Sequence, residues 1–275
     1  MTKNRGKQPK PWFEILRISY WYKEVIHRSG CTNRELDDQF AWVNESERLL
    51  SSASQPRMFE LIQKKTQIPT GKDPSFRNMD QLLDAMELDP RFTGLKEIYE
   101  SILWSLLDKK VTDSQNILKQ INLLMDEYGL VRLPPEEVIE KGQYPALINK
   151  YGAAYVFEKC LTKSTSSMST VDCISFKWLL FLLNESSSNW EARQHLESEL
   201  DREIDLFTYF WFSEKHFDYY QKIIASLLTT KVDISKYGVY PADMGSQAMW
   251  PIVKKDLIGK VNEYFMETFT ISVFI

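Results

Sequence analysis

Glycine is scarce in this chain, at 10 of 275 residues, about half the roughly 7% average usage. Phosphate-cradling loops and dense tight turns draw on glycine for positive φ and close backbone approach. Its shortage points to helices. Cysteine numbers only three (Cys31, Cys160, Cys173), too few and too scattered for a disulfide framework. Histidine also numbers three. His27 and Cys31 stand four apart, but no second His/Cys pair completes a tetrahedral metal set, so no metal and no cofactor is expected. No apolar run approaches the ~18–20 residues that cross a bilayer. Residues 1–10 are polar and basic, and no apolar stretch of a signal peptide follows them. The expectation is a cytoplasmic protein that does not enter membranes.

Nucleotide-binding and hydrolase signatures are missing as well. There is no G-x-G-x-x-G, G-x-S-x-G or H-E-x-x-H, and Thr66 stands where a phosphate loop ending in Gly71-Lys72 needs its first glycine. These absences lean away from an enzyme. They leave open an unusual carboxylate or lysine site, and with it the reading of an enzyme with an unrecognised active site.

What the chain has in quantity is aromatic side chains and an uneven charge. It carries 15 Phe, 13 Tyr and 8 Trp, with 43% hydrophobic residues, enough for a full core. Residues 1–78 hold 14 Lys+Arg against 9 Asp+Glu, a balance of +5; the remainder stands at −9, within a net −4. A sign change between the two ends hints at a polyanion contact at the basic one.

Spacing places helices along most of the chain. After a basic tail (1–11), apolar positions recur at helical intervals from Trp12, and Gly30 stands as a C-cap. Thr32 and Glu35 form a capping box for a second helix. Pro56 opens a third, which Pro69-Thr70-Gly71 should end, and residues 78–88 read as a fourth. Leu95 through Leu107 make one strong stripe. Thr112 and Gln115 can cap a helix running to Tyr128, with Gly129 as its stop, and another helix is expected from about Pro145 to Thr162. The Ser/Thr-rich stretch 163–170 reads as a boundary. An apolar helix carrying Ile174, Trp178, Leu179, Phe181, Leu182 and Leu183, a long one striped by Leu196, Leu200, Ile204, Phe207 and Trp211, and one over 213–228 follow. The fold class is all-α, an irregular multi-helix array with a short strand at the C-terminus, where residues 268–275 alternate with period 2. The expected division is the tail, a basic helical module (12–92), a first helical half (93–163) and an acidic, aromatic-rich half (171–275).

The capped helix from Thr32 to Trp42, followed by Met58 through Met86, resembles repressor-type helix–turn–helix domains. In that family a cation-bearing helix end, a proline and a further amphipathic helix follow the reading helix. Trp42-Val43-Asn44 replaces the small turn residue of the family, and Glu45 and Glu47 lie on the segment that would read DNA. The resemblance implies a DNA or RNA contact. Its phosphate-binding cations would be Lys3, Arg5, Lys7, Lys10, Arg34, Arg57, Lys64, Lys65, Lys72 and Arg77.

Two further features point to a protein partner or homo-oligomer. His195, Glu199 and Glu203 share a helix face, beside a second acidic row of Glu197, Asp201 and Asp205. Both rows read as the wet side of an amphipathic helix, with room for a basic partner. Residues 207–220 are the densest aromatic run, and apolar residues on both sides of a helix mean burial in a core or against a partner. Phe207, Phe210, Trp211 and Phe212, with Phe269 and Ile271 of the apolar C-terminal segment, are the candidate partner-binding residues; the segment itself is expected to tuck into the core. The favoured reading is a non-enzymatic, nucleic-acid-associated regulator or accessory subunit, binding a polyanion through its first third and a protein through its body. A helical adaptor without nucleic-acid binding is the alternative.

Overall fold

Trp12–Ser29 form the first helix, α1, because Leu16, Tyr20, Trp21 and Val25 recur at helical spacing and are all buried. Gly30 stops it in the left-handed region (φ 63), its N–H returning to the Ile26 carbonyl; open space surrounds it, so the backbone angle alone asks for glycine there. This is a computed structural model, and it describes residues 10–44, 46, 56–108, 112–128, 168–184, 190–230 and 232–233.

Thr32 and Glu35 close their capping box at the start of α2 (Asn33–Leu36). The helix then widens into a π-helical turn, Asp37–Ala41, whose orphaned carbonyls are met from outside. The Arg77 guanidinium donates to the Phe40 carbonyl (2.7 Å) and the Arg77 N–H to that of Ala41 (3.0 Å). Beyond it Trp42 is extended (φ −86, ψ 139) and bridges Phe76 in an antiparallel pair. The tight interhelical turn of the resemblance is therefore not formed at Trp42. The segment that would read DNA, apart from Ser46, lies outside the described residues.

The third helix, α3 (Met58–Lys65), is shorter than its sequence suggested. It ends at Thr66, a non-glycine in the left-handed region (φ 47), with the N–H groups of Thr66 and Gln67 returned to Ile62 and Leu61. Its N-terminus has no local side-chain cap. The buried Asp37 carboxylate supplies one from across the fold, accepting from the Phe59 N–H at 3.1 Å. Next comes α4 (Met79–Glu87), which carries an Asn78/Gln81 capping box.

The stripe read as one helix over 95–107 is two, α5 (Leu95–Glu100) and α6 (Leu103–Leu107), with extended backbone at Ser101 (φ −49, ψ 140) between them. Periodicity continued through the break because both pieces bury the same side. The next helix, α7, covers Ser114–Glu127, and Thr112–Asp113 ahead of it pair in parallel with Val232–Asp233. Thr112 thus stands in that pairing, two residues before the helix it was expected to cap. Among the described residues α8 (Thr170–Asn184), α9 (Trp190–Trp211) and α10 (His216–Thr229) follow. The first begins at Thr170, the last residue of the stretch read as a boundary, on a Ser169/Asp172 capping pair in which Ser169 Oγ accepts from the Asp172 N–H (3.2 Å) and donates to its carboxylate (2.6 Å). The described residues are all-α, and none of their helices is long and apolar enough to cross a membrane. The expected C-terminal strand, the helix over 145–162 and Gly129 lie outside them.

Side chains of α8 are buried all round from Val171 to Leu182, because α7 and α9 pack against it on different sides. In turn α10 packs on α9 and α6, while α1 packs on α3, α5 and α6. One continuous core runs from Leu16 to Leu227. Tyr20 of α1 meets Phe207 of α9 edge-on at 5.0 Å, and Trp21 lies over Phe59 of α3. Each fully buried Leu, Ile or Phe adds roughly 1.5–3 kcal/mol relative to exposure.

A candidate interaction surface on the ninth helix

The last three turns of α9 carry apolar side chains on two sides. Leu200, Ile204 and Phe207, spaced four and three apart, are buried between α8 and α10. Leu206, Tyr209 and Phe210, within four residues of one another on the other side, are 54%, 65% and 68% exposed. Side chains three and four apart stand above one another along a helix, so Tyr209 and Phe210 both lie over Leu206 and the three form a ridge. Isolated exposed apolar residues are ordinary on protein surfaces; these three are contiguous, and the largest such patch on a monomer is often a functional one.

The helix under the ridge is firmly held. Tyr220 of α10 donates to Asp201 (2.6 Å), and His216 meets Asp205 (2.8 Å). At its C-terminus the Lys23 ammonium of α1 bonds the Trp211 carbonyl and lies 4.7 Å from the centre of the Phe212 ring. A cation on the last carbonyl is favoured by the helix dipole. Burial pulls the Lys23 pKa below its ordinary value, with Glu214 acting against that shift. On the α8 side, Lys177 is only 3% exposed at its side chain and is bonded by Glu203 (2.9 Å) and Glu199 (3.5 Å), with Arg202 on Glu199 (2.7 Å). Glu199 and Glu203, read as part of a wet face, are therefore engaged inside the fold. Their cation comes from α8 of the same chain, because a buried ammonium in an apolar helix needs a carboxylate within reach. Nothing local in the sequence pairs Lys177 with Glu203, 26 residues on; its signal was a lone lysine inside the apolar run of α8.

Beside the ridge, the first turns of α1 and α10 enclose an open cleft of about 650 Å³. Trp12, Phe217 and Tyr219 supply its aromatic wall, and Glu214, Lys215, Asp218 and Lys222 its charges. Asp218 and Lys222 are paired at 2.7 Å.

The candidate partner-binding residues divide accordingly. Phe207 and Phe212 are in the core, Trp211 is half-buried against Tyr20 and His27, and Phe210 projects to solvent. Phe269 and Ile271 lie outside the described residues. Sequence reasoning missed Leu206 and Tyr209, although their spacing from Phe210, opposite the Leu200–Ile204–Phe207 stripe, carried the signal.

Of the nucleic-acid candidates, Lys3, Arg5 and Lys7 lie outside the described residues. The Lys10 ammonium donates to the Thr66 carbonyl (2.6 Å), at the end of α3 that also bears Lys64 and Lys65. Arg34 is exposed, one residue from Asn33, whose amide donates to Gln63 of α3 (2.7 Å). Lys64 is held by Glu60 (2.7 Å), which Arg57 also approaches (4.0 Å). Lys72 and Lys65 are exposed, whereas Arg77 is engaged under the π-helical turn, where burial lowers its pKa. Lys10, Lys64 and Lys65 are thus brought to one end of α3, with Arg34 near it, while Arg77 is committed to the fold.

A second polar group lies deep in the molecule. Asp172 accepts from Tyr128 (2.7 Å), Ser169 (2.6 Å) and Ser101 (3.3 Å), tying α7 and the α5–α6 break to α8. Burial and the bond to Asp172 push the Tyr128 hydroxyl up to about 12. Burial likewise pushes the Cys173 thiol up to about 11, where little thiolate forms near neutral pH. Both oxygens of the Asp172 carboxylate are met from inside the fold, and the arrangement ties helices together. No family model, curated protein or solved structure matches the chain.

Proposed function

We propose that this is a non-enzymatic helical binding protein whose body docks a protein through the α9 ridge. The observation that carries the reading is the exposed row Leu206, Tyr209 and Phe210 on a helix anchored from three sides by Lys177, Tyr220 and Lys23. Rigid aromatic side chains bring large contact area at low entropic cost, which is why Tyr and Trp dominate binding hot spots. A photo-crosslinking residue in place of Phe210, introduced in the source cells, tests it. Adducts at position 210 that are absent when the same residue replaces exposed Lys72 are the expected result, and a blank at 210 sinks the reading.

The polyanion reading keeps one specific support, the docking of Lys10 at the end of α3 that carries Lys64 and Lys65. That hydrogen bond brings the Lys10 ammonium to the end of α3 beside two further cations. It is tested by retention of DNA and RNA on the full chain at low ionic strength. Lys64→Glu with Lys65→Glu should lower the slope of log affinity against log salt by about 0.9 for each phosphate that is no longer neutralised. Retention unchanged by the pair of substitutions counts against it.

A further inference from the structure

We infer that the occupant of the α9 ridge is a second copy of this chain, packed antiparallel across a two-fold axis through Tyr209. The inference rests on reading the ridge as an interaction surface and goes further by naming what covers it. Charge at the two ends of the ridge names the occupant. Towards the N-terminal end of the ridge, Glu199 and Glu203 are matched by Lys177 and Arg202, which leaves Asp201 and Asp205 facing His216 and Tyr220 of α10. At the C-terminal end stand Lys23 and Lys215, with Glu214 offsetting one of the two charges. The ridge is therefore negative at one end and positive at the other, over about 15 Å of helix.

A surface of that polarity is complementary to itself. In an isologous pair, residue i of one copy meets residue j of the other and the reverse. Turned by 180°, the Asp201/Asp205 end of one copy faces the Lys23/Lys215 end of its partner, and the two Tyr209–Phe210 pairs meet at the centre. A partner of uniform charge would be repelled at one end.

Area sets the strength. An aromatic side chain buries roughly 150–250 Å², so at their observed exposures Leu206, Tyr209 and Phe210 offer on the order of 350 Å² per copy. With the charged rim the pair would bury roughly 1,000 Å², at the low end of specific interfaces. The dimer is accordingly weak, forming in the tens to hundreds of micromolar, and it weakens in salt because the rim charges are exposed.

Sedimentation velocity of the full chain, from roughly 5 to roughly 500 µM, reads this directly. The mean mass should rise from 32.4 kDa toward twice that, and the midpoint should move several-fold higher in strong salt. Phe210→Ser should weaken association at least tenfold without changing helicity. Asp205→Lys and Lys215→Glu should each weaken it several-fold, and the double swap should recover most of the loss. A chain monomeric throughout, or a dimer indifferent to Phe210→Ser, overturns the proposal. So does a double swap no better than either single variant. The crosslinker at position 210 separates the two levels. Adducts to another protein, or to residues 269–275 of the same chain, overturn the second copy and leave the ridge an interaction surface. No adduct at all removes both.

Discussion

Replacing Asp37 by Asn should make the protein more stable at neutral pH and leave it little changed in mild acid. Asp37 is 5% exposed, and its carboxylate caps α3 by accepting from the Phe59 N–H at 3.1 Å. Burial pushes its pKa up from 3.8 to about 6; the Phe59 and Met58 N–H groups pull it back, while Asp38 and Glu60 push it further. The folded pKa lies above the unfolded one, so between about pH 4 and pH 6 the native state holds more protons than the unfolded chain. Stability from this group is fully present below about pH 4 and is lost as pH rises through about 6. At about pH 7.5 the ionised carboxylate costs about 3 kcal/mol relative to its protonated form, at about 1.4 kcal/mol per pKa unit. Asparagine removes the charge and keeps one oxygen for the Phe59 N–H, but its own buried N–H₂ takes back about 1 kcal/mol if it finds no acceptor. A net gain of about 1–2 kcal/mol at about pH 7.5 is expected, shrinking to zero or reversing near about pH 4.5. Urea unfolding of both proteins at about pH 4.5, 6.0 and 7.5 measures it, because the other titrating groups cancel in the difference. A difference that does not vary with pH, or one that grows in acid, would refute the claim that desolvation dominates at Asp37.

Other substitutions probe different forces. Lys177→Met leaves Glu199 and Glu203 facing an apolar helix with only Arg202 between them, so unfolding free energy should fall by about 2–4 kcal/mol; a neutral result would mean water already screens the pair. Gly30→Ala meets no atom but must hold φ 63, and about 1 kcal/mol should be lost in chemical denaturation. Ser there should do no better, since any Cβ suffers the same backbone strain.

Much of the architecture could be read from local chemistry. The Thr32/Glu35 box and the stop at Gly30 involve residues within four positions of one another, and both formed where the letters placed them. The stripe of α9 was legible for the same reason, since a 3.6-residue period survives whatever it packs against. The break at Ser101 was not. Its hydroxyl is held by Asp172, 71 residues away, while the apolar pattern runs through it uninterrupted. The π-helical turn after Leu36 also depends on a distant donor, Arg77.

The site followed the same division. Sequence showed that residues 207–220 are crowded with aromatic side chains, more than one helix face can bury. Which of them reach solvent was settled only when α8 and α10 closed on α9, taking Phe207 and Phe212 inward and leaving Tyr209 and Phe210 outside. The amino acid order by itself determined that this chain would be helical and where most of its helices would start, because capping and periodicity act over a single turn. Tertiary structure alone decided which charges are occupied and which surfaces remain, because Lys177, Asp37 and Arg77 find their partners 22 to 37 residues away, and a separation of that kind is set by packing.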